Sequence, residues 1–247
     1  MPRPKGPPRD LAGLRAAIGT VRVAGTQAEV VERARRILLV FVDSAANQGQ
    51  DFAGIAAALA DGSGALQIGF IELQSQKPPD GLACAEGCAF CCILNGEDGG
   101  TISQAEAGRL HDALAHQSGQ TDGRGWHPKA CPALDPVSRK CRAYDVRPMI
   151  CRSYVSTDVS ACEAIAIGQN ATGSGVMGAY VTYLAALALS RAALKGLKRV
   201  STFSLAETAQ SAISGSDLET TLKSARHRPK SLDAERKRTA QGISKAR

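Results

Sequence analysis

Four cysteines crowd into nine residues, "CAEGCAFCC" at 84–92, and four more follow at 131, 141, 151 and 162. With 247 residues, 44% of them hydrophobic, the chain can bury a core without covalent staples, so these thiols do not substitute for a missing interior. A single cysteine is often a small buried hydrophobe, and Cys162 suits that role best of the eight. Eight so clustered point elsewhere. The opening "MPRPKGPPRDLAGLRAAIGTV" lacks the uninterrupted apolar stretch of a secretory leader. Residues 164–190 carry no charge, but Gly168, Gln169, Asn170, Gly173 and Gly175 break their first part, which leaves a buried helix rather than a membrane span. A cytoplasmic setting keeps thiols reduced and turns the expectation from disulfides toward metal.

Thiolates are soft ligands that select zinc or iron–sulfur clusters over hard cations. Zinc takes four such ligands, usually from pairs two to four residues apart, a spacing met by Cys84 with Cys88 and by Cys88 with Cys91. Adjacent Cys91 and Cys92 point in divergent directions, which suits two metals, a polynuclear cluster, or one thiol that does not bind. Cys131, Cys141, Cys151 and Cys162 follow at C-x9-C-x9-C-x10-C. One helix would scatter them around and along its axis, so a shared site needs them on loops or separate elements. Pro132, Pro136 and Pro148 favour such loops. All eight cysteines are candidate ligands. Arg147 and Arg152 flank Cys151 and are candidate donors to thiolate sulfur, with ion pairs to Asp145 or Asp135 as the competing use. His127 is the one imidazole placed near a cysteine, and the surplus of thiols argues against it as a ligand.

The rest of the chain reads as mostly α, a helical scaffold around irregular cysteine-rich loops. S/T-x-x-E capping boxes at Thr26/Glu29, Ser103/Glu106, Ser204/Glu207 and Ser216/Glu219 open four of the expected helices, and no strand alternation is visible. Residues 1–9 read as a disordered N-terminus, 10–222 as a helical domain with its cysteine core at 84–162, and 223–247 as a basic disordered tail. From Lys223 onward nine Lys and Arg face only Asp233 and Glu235, which accounts for the whole net charge of +7. No aromatics interleave these charges, so nothing offers bases a stacking platform, and nucleic acid is not the expected partner. The expected partner is a metal ion. The helices at both ends offer a surface for a protein.

Taken with "ACPALDPVSRKCRAYDVRPMICRSYVSTDVSAC", the cluster resembles the bacterial YkgJ-type CxxxCxxCC cysteine-cluster family. The shared elements are the C-x3-C-x2-C-C run, Cys131-Pro132, the Cys141…Tyr144 stretch and the Arg147-Pro148-x-x-Cys151-Arg152 block. The resemblance implies zinc or iron chelation, including a [4Fe–4S] cluster, and leaves substrate and catalytic role open. Flagellin lysine N-methylases are grouped with the family, which gives the alternative reading of an iron–sulfur-dependent protein lysine N-methyltransferase. "CAEGCAFC" is also similar to the cluster motif of radical-SAM enzymes, but the strand–helix repeats of that fold are not visible around it.

Overall fold

The computed structural model describes residues 6–94 and 98–245; residues 1–5 of the expected disordered N-terminus and 246–247 of the tail lie outside the described residues. The architecture is mostly α, as the sequence implies. In its first part are α1 (Leu11–Thr20), α2 (Ala28–Asn47), α3 (Phe52–Asp61), α4 (Ser63–Ser75) and α5 (Gln104–Ala115). Short α6 (Met149–Ser153) and α7 (Val159–Ala166) follow, then α8 (Gly178–Ala193), α9 (Leu205–Ile213), α10 (Leu218–Ser224) and α11 (Ser231–Lys245). Two antiparallel pairs of three-residue strands tie the parts together. Strand β1 (Thr101–Ser103) lies beside β4 (Thr202–Ser204), and β2 (Tyr154–Ser156) beside β3 (Ser174–Val176). Strands this short carry no alternation for a sequence reading to detect.

The uncharged stretch forms α8, which buries Tyr180, Tyr183, Leu184, Leu187 and the alanines between them against α2 and α4. Its alanines let neighbouring helices approach closely. Helices α1, α3 and α11 complete this core. Gly62 ends α3 and starts α4 at φ +85°, turning the chain by 68°. A Cβ there would stand 2.5 Å from that of Ser103, so both backbone and space require glycine. A second core joins α5, α9, Ile102 and Phe203 to Ala130, Ala133, Leu134 and Ala143. No single helix among the described residues is long and apolar enough to cross a membrane.

Helix starts follow the capping residues with two corrections. Ser103 and Glu106 form the full capping box, and Ser204 accepts from the Glu207 N–H at 3.1 Å. Helix α10, however, is capped by Asp217 through the Thr220 N–H at 2.7 Å, one residue beyond Ser216. Helix α2 begins behind Gln27 with no side-chain cap; the hydroxyl of Thr26 accepts from Arg236 at 2.9 Å instead.

The segment from Lys223, expected as a disordered tail, is helical among the described residues, whereas most of the expectation for residues 1–9 falls outside them. Pro8 is buried. From Lys223 the described residues complete α10 and form α11, where Leu232, Arg236 and Thr239 are buried at helical spacing. Two of these three are polar, so the buried stripe was invisible to a hydrophobicity reading, while exposed Asp233, Lys237 and Arg238 dominated the composition. Leu232 is fully buried in the α8 core, and Leu232→Ala should cost about 2–5 kcal/mol in urea unfolding. A change under about 0.5 kcal/mol, the size of an ordinary surface substitution, would mean that α11 does not dock.

Candidate metal centre

The cysteine loops rest on the alanine-rich second core. Phe90–Cys92 form a single 3-10 turn, after which the chain runs antiparallel to residues 129–131. Leu94 N–H donates to the Lys129 carbonyl and Cys131 N–H to the Cys92 carbonyl, each at 2.8 Å. Two cysteine segments far apart in sequence thereby become neighbours. From Cys131 the chain turns back so that Leu134 bridges to Cys141. Asp135 holds that turn by accepting from the Val137 and Ser138 amides at 3.2 and 2.8 Å, and Arg139 takes φ +58° in it. Glu86, between Cys84 and Cys88, pairs with Lys140 beside Cys141. Ala83 N–H donates to the Ser156 carbonyl at 2.8 Å, and the Cys84 sulfur lies 3.9 Å from the same oxygen. Cys151 sits on α6, and α7 packs Cys162 toward the Phe90–Cys92 turn.

The thiols act on one another in two groups. The charge states of Cys92, Cys131, Cys141 and Cys151 each depend on Cys91, and those of Cys92 and Cys151 also on Cys131. Cys162 responds to Cys88, Cys91 and Cys84, so Cys91 belongs to both groups. Burial pushes the Cys131 thiol up to about 12 and lifts Cys141 and Cys151 as well. Cys91 goes the other way, to about 7, first because the Cys92 thiol donates to its sulfur; its own backbone and Arg147 assist against burial. The adjacent thiols of the 3-10 turn thus act directly on one another.

The two arginines divide their work. Arg147 stacks on the Tyr144 ring at 3.6 Å, and its charge lowers the pKa of Cys91, Cys141 and Cys151. Arg152 spends its hydrogen bonds on the backbone carbonyls of Asp145 and Arg147, fixing the turn before α6. Neither forms an ion pair with Asp145 or Asp135; Asp135 is held by Arg142 at 3.1 Å. The His127 Nδ1 accepts from the Lys129 amide at 3.2 Å. A cavity of about 290 Å³ opens beside Cys91 and Cys162, walled by Phe90, Ile93, Tyr154 and Gln169. Among the described residues no three His, Cys, Asp or Glu side chains converge in a ready ligand geometry.

Two supporting residues escaped the sequence reading. Gly123 is one: a Cβ there would lie 2.3 Å from the Cys131 carbonyl oxygen, so only glycine lets the 3-10 turn at Gly123–Gly125 abut that loop. No left-handed φ advertises it. Glu106 is the other. Beyond its capping role, its Oε1 accepts the Met149 N–H that starts α6 at 2.7 Å, and its Oε2 accepts from Tyr183 of α8. The carboxyl is 2% exposed. Glu106→Ala would strand these buried donors and should destabilise the protein by about 3 kcal/mol in chemical denaturation. It should also loosen the α6 backbone, read as faster hydrogen exchange at Met149. A loss under about 1 kcal/mol with unchanged exchange would refute this role.

Residues 83–170 match the model of the CxxCxxCC family, whose description reads "Putative zinc- or iron-chelating domain". No curated protein and no solved structure matches the chain. The match covers every cysteine loop and leaves α1–α4 and α8–α11 outside it. Over residues 83–170 the chain is thus similar to a cysteine-cluster domain described as zinc- or iron-chelating.

Proposed function

We propose that this protein holds zinc or iron on a sulfur-only centre drawn from Cys91, Cys92, Cys131, Cys141 and Cys151, with Cys84, Cys88 and Cys162 as a second group that meets it at Cys91. The observation that carries this reading is the backbone pairing of Cys92 with Cys131, because it joins the two halves of the cysteine pattern. The donor chemistry fits. Sulfur from several elements, partly buried and beside the cationic Arg147, suits a soft metal whose thiolate charge needs offsetting. The thiols are neighbours rather than a closed cage, so the loops tighten as ligands engage, coupling metal binding to the folding of this region. When bound, the metal supplies a cross-link among the loops and a Lewis-acid or electron-transfer centre, according to its identity.

The chain's own residues perform three tasks. Arg147 offsets negative sulfur, Arg152 and Asp135 fix the loops that present Cys151 and Cys141, and Phe90 and Ile93 give the cavity beside exposed Cys91 an apolar wall. The lysine-methyltransferase alternative rests on family analogy alone. Among the described residues both sheets are two-stranded antiparallel pairs.

Protein purified without oxygen should carry on the order of one to two metal ions, with brown colour if iron–sulfur and none if zinc. Cys131→Ser together with Cys91→Ser should remove most of that metal, and Cys162→Ser only the share of the second group. Protein free of zinc and iron that takes up neither on anaerobic reconstitution would end this reading. A metal that displaces protons from thiols must bind more tightly as pH rises. Zinc titration between pH 6 and 8 should therefore show increasing affinity and release more than one proton per ion, and a falling affinity would contradict thiolate ligation.

A further inference from the structure

The end of α8 and the turn after it carry charge that the metal centre does not use. A cavity of about 220 Å³ opens where α8 ends, between the turn after that helix and the approach to α11. Arg191, Lys195, Lys198, Arg199 and His227 line it, with Pro229 and the backbone around Val200, and no carboxylate is in its wall. Arg191 is fixed in place: its Nε donates to the Val200 carbonyl at 3.1 Å and its Nη1 to that of Pro229 at 2.9 Å. Lys195, Lys198 and Arg199 form no ion pair among the described residues.

Two acidic groups approach from outside the wall. Asp233 favours the charge on Arg191, but it also pairs with Arg236 at 3.4 Å. Asp98 stands 3.2 Å from His227 Nε2. Set against these, burial and the charge of Arg199 both disfavour the Arg191 cation. A fold that bends Lys195, Lys198 and Arg199 toward an immobilised arginine brings like charges together, an unfavourable arrangement unless a multiply charged anion joins them. A helix C-terminus attracts one or two cations by its dipole, which accounts for Arg191 and Lys195 but not for Lys198 and Arg199 farther along the chain.

We infer that this cavity binds a diphosphate group, as free pyrophosphate or as the diphosphate of a nucleotide. Several cations around a space of this size match a polyanion better than a single carboxylate, and Arg191, held by Nε and Nη1 on backbone carbonyls, has Nη2 to donate to a phosphate oxygen. None of the lining residues is a cysteine, so the site stands apart from the metal reading.

Isothermal titration of the full chain with pyrophosphate, ADP and sulfate at near-physiological salt tests it. Pyrophosphate should bind, and sulfate at least about tenfold more weakly, a difference on the scale of one charge-assisted contact. ADP binding as tightly as pyrophosphate identifies the nucleotide source, and much weaker ADP binding the free anion. Lys198→Ala with Arg199→Ala, both exposed positions, should weaken pyrophosphate at least about tenfold with an unchanged melting temperature. The charge-matched control Arg36→Ala with Lys77→Ala should stay within about twofold. No heat with millimolar pyrophosphate, equal loss in both double variants, or binding of single-stranded nucleic acid without pyrophosphate would each overturn the proposal.

Discussion

A buried carboxyl group must find donors, and the way Glu106 does so sets the position of the cysteine-bearing elements. Ser103 of its own capping box supplies two donors, the first amide of α6 a third, and Tyr183 of α8 a fourth. These partners come from three places in the chain. Satisfying one side chain therefore fixes α6 against both α5 and α8. Cys151 lies two residues into α6, so its sulfur inherits that placement. The same constraint reaches the larger core: burial, with the nearby Glu106 charge adding to it, holds the Tyr183 hydroxyl well above the ordinary tyrosine range and keeps it a donor.

Around that anchor the cysteine loops are held mainly by backbone. Ala89, Ala130, Ala133 and Ala143 let the chain lie directly on the second core, with Leu134 as the larger plug. Amide–carbonyl bonds then set the register of Cys92 against Cys131, and the Leu134–Cys141 bridge sets that of Cys141. Side chains add fine placement through Arg152 on the 145–147 carbonyls and Asp135 on its own turn. This division suits a ligand set. Thiols whose register is set by backbone rather than by their own hydrogen bonds can exchange protons for a metal.

Much of this was legible in the sequence, and what was not has a common cause. The cysteine count, the loop character of 131–151 and the Ser103/Glu106 cap follow from local chemistry, and each is present. The pairing of Cys92 with Cys131, the second use of Glu106 and the close approach at Gly123 all depend on residues distant in sequence, about which local spacing says nothing. Thr26 shows the same effect in reverse, as a good capping residue drawn away by Arg236 from the other end of the chain. Composition misled most over α11. Its buried stripe is Leu232, Arg236 and Thr239, and a buried arginine counts as solvent-loving in any hydrophobicity reading.

The two cores therefore divide the protein's tasks. The first, built on α8, buries large apolar side chains and includes α11 but, apart from Met149 and Ile150 of α6, draws nothing from the cysteine region. The second is smaller, rich in alanine, and counts Cys92, Cys131, Cys141 and Cys151 among its own packing residues. Apolar burial scales with the area removed from water, so the first core, with its larger apolar side chains, contributes more to the helical frame, whereas the second gains little from alanine. The proposed centre, by tying its sulfurs together, would supply what alanine lacks. On that reading the small side chains and the thiols are two sides of one solution: alanine lets the loops come close, and a bound metal would keep them there.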